Sequence, residues 1–359
     1  MLIKSKFLVG EDFEIKEGTI IIEDGEIKGF TNEKEDLKVN GLFIPGVINA
    51  HTHIADNIIK DIGVNKTLDE LVKPPNGLKH KYLKVLSNED IKRGILYGLK
   101  DLEDFGVKIF CDFRENGLDG VKLLKECLNK SKVKGVVLGR PSSLEECKEI
   151  LKIADGINLS GANENSDNFL KAVYKECLKN NKLFGIHVAE HKEAVEFSLK
   201  KYNKTELERL IDLGVIPSFI VHGVHLTDND ISILEEKNIP IVLCVRANLY
   251  LNVGIPNLEK LKNLTLGLGT DNFMINSPSI FREMEYIFRL YHLEPKEILR
   301  MATINNAKIL NLDKIGLIEE GYKPIFTIIK ENAFLFSKDI VASLFRVEKG
   351  DIINLNIIY

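Results

Sequence analysis

Eight short runs of β-branched and aliphatic residues recur along the middle of the chain, at about 42–53, 107–113, 133–139, 156–161, 183–189, 218–224, 240–246 and 264–270, each bounded by Gly, Asn or Pro. Runs of this length and composition read as buried strands. The intervals at 88–105, 117–130, 144–154, 167–180 and 193–213 are Lys/Glu-rich and amphipathic with helical spacing, and two more such stretches, 279–290 and 295–310, follow the last run. Alternation of this kind sets parallel strands in one sheet with crossover helices outside it. Eight units is the number that closes a (β/α)8 TIM barrel, so the expected fold class is α/β.

The two ends of the chain have a different texture. Residues 1–45 and 315–359 carry short alternating runs and turn signals, among them Glu17-Gly-Thr-Ile-Ile-Ile, Ile325-Phe-Thr-Ile-Ile and Gly350-Asp-Ile-Ile-Asn-Leu-Asn-Ile-Ile-Tyr. Both ends read as β meanders. The simplest packing joins them as one small β-sandwich domain, 1–45 plus 315–359, beside a barrel of residues 46–314.

Bulk properties narrow the partners. A net charge of −4 spreads 49 basic and 53 acidic residues along the chain without a long basic tract, which argues against nucleic acid. No apolar stretch approaches the roughly 20 residues that span a bilayer, and the start lacks a signal-peptide core, so the expected location is the cytoplasm and no membrane partner is expected. The five cysteines are scattered and odd in number, which suggests reduced thiols rather than disulfides or a CxxC zinc site. A small molecule is the expected partner, and a homo-oligomer is left open.

Chemistry collects where the runs end. The first closes on His51-Thr52-His53, and alternation along a strand turns both imidazoles to one side, close enough to share a metal ion. Taken alone, such a pair is as often two polar residues beside a loop. Three further runs end in the same manner, at His187-Val-Ala-Glu190-His191, His222-Gly-Val-His225 and Gly269-Thr-Asp271-Asn272. Ends of parallel strands and the loops after them converge on one mouth of an α/β barrel. His187 and His191 could mimic a helical i,i+4 metal pair. Because the segment reads as a strand up to His187, that spacing does not hold, and His191 and His225 are read as neighbours of the site. His292 lies in the helical stretch after the barrel and is read as structural.

With these residues in view the chain resembles the amidohydrolase superfamily. The matching motifs are Pro45-Gly-Val-Ile-Asn-Ala-His51-Thr-His53, His187-Val-Ala-Glu190, His222-Gly-Val-His225-Leu and Gly269-Thr-Asp271, with Met301–Leu310 and Gly316-Leu-Ile-Glu-Glu-Gly321 resembling the closing helix and the return to the β domain. One departure is Pro324-Ile325, where relatives usually carry Ala-Asp. The resemblance implies one divalent metal, with zinc put first and iron(II) as the alternative, held by His51, His53, His187 and Asp271. A second metal is not expected, because the fourth run, Gly156-Ile-Asn-Leu-Ser-Gly-Ala, lacks the lysine that bridges two metals in binuclear relatives.

His-x-x-Glu is the mark of the branch that deaminates adenosine, cytosine and S-adenosylhomocysteine, or that hydrolyses chlorinated rings. In that branch the glutamate, here Glu190, shuttles a proton to the ring nitrogen, His222 orients or deprotonates the water, and Asp271 takes a proton while ligating the metal. The implied activity is deamination of a small N-heterocycle of the purine, pyrimidine or pterin type. Hydrolysis of a ring amide, a C–Cl bond or another C–N bond on the same scaffold stays open, as does a metal-binding homologue without catalysis.

Candidate substrate contacts come from the remaining strand ends. Arg114, Arg140 and Arg246 would face the mouth, where a guanidinium suits a carboxylate, phosphate or carbonyl. The equal alternative is that Arg114 pairs with Asp112 or Glu115 and the others brace loops. Asn248 follows the seventh run, and the loop Lys73-Pro-Pro-Asn-Gly-Leu-Lys79-His80 places Lys79 and His80 where a substrate lid is expected, or else forms an ordinary helix entry.

Overall fold

The computed structural model describes residues 1–72 and 77–355; the expected loop residues 73–76 and the end of the last expected strand, 356–359, lie outside them. Along the chain the first strands are β1 (Leu2–Val9), β2 (Glu14–Glu23), β3 (Glu26–Thr31) and β4 (Leu37–Pro45). There follow β5 (Val47–His53), β6 (Val107–Arg114), β7 (Lys134–Gly139), β8 (Gly156–Leu159) and β9 (Leu183–Val188). The remainder are β10 (Phe219–His222), β11 (Ile241–Leu243), β12 (Leu266–Leu268), β13 (Asp271–Asn272) and β14 (Phe326–Lys330).

β5 to β13 form one parallel sheet of nine strands in the order β12-β11-β10-β9-β8-β7-β6-β5-β13. Because β13 follows β12 by two residues and yet pairs with β5 at the far edge, the sheet curls round on itself. Gly269 permits that approach: a Cβ there would stand 2.7 Å from the Cβ of His51. The next residue, Thr270, then donates its N–H to the His51 carbonyl at 3.1 Å. Buried on both faces, β5 reads as a continuous run rather than an alternating one.

The crossover helices lie where periodicity places them, and several begin with reciprocal caps. Ser87 with Asp90, Thr205 with Glu208 and Thr227 with Asp230 each form a capping box. The stretch at 193–213 is two helices, Lys192–Tyr202 and Glu206–Asp212, because Asn203 turns left-handed (φ 54°) and Thr205 starts the chain afresh. The stretch at 295–310 runs on through a π segment at Met301–Asn305. None of these helices is long and apolar enough, among the described residues, to cross a membrane.

The run at 42–53 is divided between two sheets. β4 ends at Pro45 and belongs to a second, five-stranded sheet of order β14-β4-β1-β2-β3. At the break a Cβ on Gly46 would meet Ile325 at 2.7 Å, so only glycine lets the strands part there. Phe7 packs on Phe43 and Phe43 on Phe326, at centroid separations of 5.0 and 5.3 Å, which builds this sheet's own small core. Among the described residues it is a single sheet, with no second sheet facing it. The C-terminal segment supplies only β14 and a lone bridge between Ile329 and Ile352, while Lys349–Asp351 forms a 3₁₀ turn where a strand is expected.

The join between the sheets is a buried hydroxyl. Thr327 Oγ1 donates to the Gly106 carbonyl at 2.6 Å and accepts the Val47 N–H at 3.1 Å. All five cysteines are buried free thiols.

Candidate active site

The histidine pair of β5 does not reach the site by simple alternation. Asn49 pairs with Phe110 and Thr52 with Asp112, so β5 spends three residues where β6 spends two. Such a bulge re-aims a side chain. Below it Ile48 and Ala50 pack in the same inner cluster as Phe113. Above it His51 lies edge-on against that same Phe113, with ring centroids 4.5 Å apart.

Four donor atoms from three strand ends gather around His51. His51 Nε2 is 3.2 Å from Asp271 Oδ1 and 3.4 Å from His187 Nε2, and His53 Nε2 is 3.5 Å from the same Asp271 oxygen. Burial drives the His51, His53 and His187 imidazoles well below the usual histidine range, and neighbouring cationic groups add to the effect. They are therefore neutral, the form that binds a metal. His187 Nδ1 faces the Leu159 carbonyl at 3.3 Å, a hydrogen bond that leaves Nε2 bare toward the centre. Three neutral imidazoles and one carboxylate fit one divalent cation of the zinc or iron(II) type, with a position left for water.

Two further groups face this centre. His222 Nδ1 bonds Asn248 Oδ1 at 2.9 Å, which holds the ring with Nε2 toward Glu190, whose Oε1 is 3.7 Å away. The Glu190 carboxyl is pushed up to about 8, by burial first and then by the charge of Asp271. It can hold a proton in the neutral range, as a proton shuttle must.

The backbone at this mouth is held in an uncommon conformation. Ala189, His222 and Asp271 all have positive φ, at 51°, 74° and 59°, although none is glycine. Left-handed backbone in residues with a Cβ persists only where the surroundings impose it, and it clusters at functional sites.

Beside the histidines lies a buried charged group. Lys79 Nζ sits 2.6 Å from Asp56 and 3.0 Å from Glu115, and Arg140 Nη1 also reaches Glu115 at 2.9 Å. Burial alone would raise the Glu115 carboxyl, but Lys79 and Arg140 hold it well below its ordinary range. Three trios of metal-ligand types lie within reach of one another among the described residues, His51-His53-Asp271, His51-His187-His222 and His53-Asp56-Glu115, and the Lys79 ammonium bonds two members of the last.

A cavity of about 430 Å³ opens over both groups, and Leu68, Val72, Phe197, Leu251 and Ile275 give it an apolar wall. Lys79 and Arg140 border it, whereas the other expected substrate contacts are placed elsewhere. Arg246 braces the 276–279 loop through the carbonyls of Ser277 and Ser279 and pairs with buried Glu283. Arg114 is buried behind the strand end, Asn248 stands behind His222, and His80 bonds the Val72 carbonyl at 2.9 Å. His191 pairs with Glu193 at the rim, and His225 bonds the Val253 carbonyl. His292 caps the helix Ile280–Tyr291 in a left-handed turn.

Sequence reading missed Asp56, the apolar wall and Glu206, a buried cavity-lining carboxylate. Asp56 had a signal in its place three residues after His53. Glu206 had none, since an acid in the first turn of a helix reads as an ordinary end charge.

The chain belongs to the amidohydrolase family, whose profile matches residues 42–356. It is 58% identical to an uncharacterized protein of Methanocaldococcus jannaschii, over 99% of this chain and 98% of that one. It is 31% identical to the 5-methylthioadenosine/S-adenosylhomocysteine deaminase of Pyrococcus furiosus, covering 90% of this chain and 84% of the relative. Its fold is similar to that of a zinc-bound adenosine deaminase from Xanthomonas campestris, with a TM-score of 0.88 at 18% identity over 98% of this chain and 90% of the other. By family membership it is a hydrolase acting on carbon–nitrogen bonds.

Proposed function

We propose that this amidohydrolase-family chain is a mononuclear metal-dependent aminohydrolase, built on a closed (β/α)8 barrel, that replaces the exocyclic amino group of a small purine, pyrimidine or pterin ring with oxygen. The observation that carries the reading is the placement of the Glu190 carboxyl 3.7 Å from His222 Nε2, over a convergence of three neutral imidazoles and Asp271. The deaminase name of the Pyrococcus furiosus relative supports the same reading.

In this reading His51, His53, His187 and Asp271 hold one divalent ion, zinc or iron(II). Bound there, such an ion would supply the Lewis acidity that lets a water ionise near neutral pH. His222, kept neutral by burial and oriented by Asn248, accepts a proton from the attacking water through Nε2. Glu190 delivers a proton to the ring nitrogen beside the amino-bearing carbon, which makes that carbon electrophilic. The proton taken up by His222 then passes to the amino group, ammonia departs, and the remaining hydroxyl proton returns to Glu190 as the carbonyl forms. Lys79 and Arg140 are the polar groups assigned to the substrate's periphery, and the apolar wall is assigned to the ring face.

The test offers protein reconstituted with zinc or iron(II) amino-substituted purines, pyrimidines and pterins, with their nucleosides and nucleotides, and reads ammonia release, beside chlorinated rings read by chloride release and ring amides read by ring opening. Ammonia from one of the amino-substituted rings, lost in Glu190→Gln, supports the proposal. Turnover confined to a ring amide or chlorinated ring replaces it with the corresponding hydrolysis, and silence from metal-loaded protein on every compound points to a homologue without catalysis.

A further inference from the structure

Glu206 is a buried carboxylate on the cavity wall that the proposed reaction leaves without a task. It is the first residue of the helix Glu206–Asp212, where an acid ordinarily points into solvent near the free N–H groups of the first turn. Here it is only 5% exposed. Its Oε2 leaves the helix end and accepts the backbone N–H of Ala189 at 3.1 Å. Its Oε1 lies beside Gly161 of the loop after β8, where an added Cβ would stand 3.4 Å from it. The carboxylate is wedged between two strand-end loops.

Ala189 has a strained backbone. Its φ of 51° is the left-handed conformation, which alanine adopts only when held there. The restraints are visible on both sides. The His225 N–H donates to the Ala189 carbonyl at 2.9 Å, the Gly223 N–H donates to the Val188 carbonyl at 3.1 Å, and the Ala189 N–H is taken by Glu206. The first two hold the segment to the loop after β10. The third alone reaches the peptide N–H of the strained residue, and it comes from a helix that is itself anchored by its Thr205–Glu208 capping box.

The residue after this turn is Glu190. Were Ala189 to relax to an ordinary conformation, the chain direction would change at the strand end and the Glu190 carboxyl would leave its place opposite His222. We infer that Glu206 is a positioning residue for Glu190, a side-chain strap that fixes the left-handed turn at Ala189 and thereby aims the proton-shuttling carboxyl. The inference rests on the deaminase reading for the role of Glu190, whereas the strap itself stands on geometry alone.

The strap separates shape from charge. Gln at 206 keeps a carbonyl oxygen for the Ala189 N–H, whereas Ala removes the acceptor. Glu206→Ala is expected to lower kcat by roughly 10- to 100-fold, as misplacement of a reacting group by about 1 Å does, with KM and metal content close to wild type. Glu206→Gln is expected to restore most of that loss. In a background of Ala189→Gly, where the left-handed turn needs no restraint, the penalty of Glu206→Ala should shrink. Hydrogen exchange of the Ala189 amide, which needs no substrate, should quicken in Glu206→Ala and stay slow in Glu206→Gln.

Unchanged exchange at Ala189 in Glu206→Ala overturns the strap whatever the substrate is. Quickened exchange with an unaltered kcat overturns its positioning role. A rise in KM alone, shared by the Gln variant, makes Glu206 a substrate contact instead. A wild type inert toward every ring overturns the deaminase reading, and exchange at Ala189 still decides the strap.

Discussion

His51 and Asp271, 220 positions apart, bring an imidazole Nε2 and a carboxylate Oδ1 to within 3.2 Å at the seam where the curled sheet meets its first strand. The pairing of β13 with β5 is what brings them together. Asp271 pairs with Thr52 in the strand register while its side chain faces His51 and His53. Asp271→Ala or His51→Ala should abolish stoichiometric zinc binding and lower turnover by roughly 10²- to 10³-fold or more, comparable to loss of one preorganised charge-stabilising group. Metal content after dialysis, read with activity, checks this. A variant that keeps one tightly held metal contradicts the assignment.

Because the proton of Glu190 is the one delivered, activity should fall as pH rises through the pKa of this carboxyl. That pKa is pushed up to about 8 by burial and by the Asp271 charge. A bound cation offsets the charge of Asp271, so the basic limb of the kcat/KM profile should have an apparent pKa no higher than about 8. Glu190→Gln should remove the limb together with most of the rate. A basic limb only above pH 9 would give the proton to another group.

Asn248 is expected to act through His222. Its Oδ1 accepts from His222 Nδ1 at 2.9 Å and so keeps Nε2 as the acceptor. Asn248→Ala should cost about 10- to 100-fold in activity, the usual scale for losing the partner that orients such a ring, with the melting temperature little changed. If ¹⁵N spectra of the His222 ring show the same tautomer in wild type and variant, Asn248 has no such role.

Thr327 couples the two sheets through a hydroxyl with both a donor and an acceptor partner. Thr327→Val keeps the shape and leaves the Gly106 carbonyl and the Val47 N–H unpaired in a buried place. The expected loss is about 1–3 kcal/mol in urea unfolding. An unchanged midpoint would mean that the join is made by apolar packing alone.

Much of this was legible in the chain itself, for reasons particular residues make plain. The strand ends carried their chemistry with them, since His51, His53, His187, His222 and Asp271 each terminate an apolar run. The hidden parts were those where backbone geometry departs from its residue type. A bulge between Asn49 and Thr52 turns the His51 face inward, and positive φ at Ala189, His222 and Asp271 has no glycine to announce it. The split of the first run at Gly46 depends on Ile325, 279 positions away, which no local pattern reports. Arg246 and Arg140 look alike as strand-end arginines, and only tertiary packing puts one under the 276–279 loop and the other at the cavity.

The most direct test of the central claim takes the ring that releases ammonia and runs the turnover in H₂¹⁸O with zinc- or iron(II)-loaded protein. The account predicts one ammonia and one ¹⁸O incorporated at the former amino carbon per turnover, with both lost in metal-stripped protein and in Glu190→Gln. Ring opening, or product without solvent oxygen at that carbon, would contradict it.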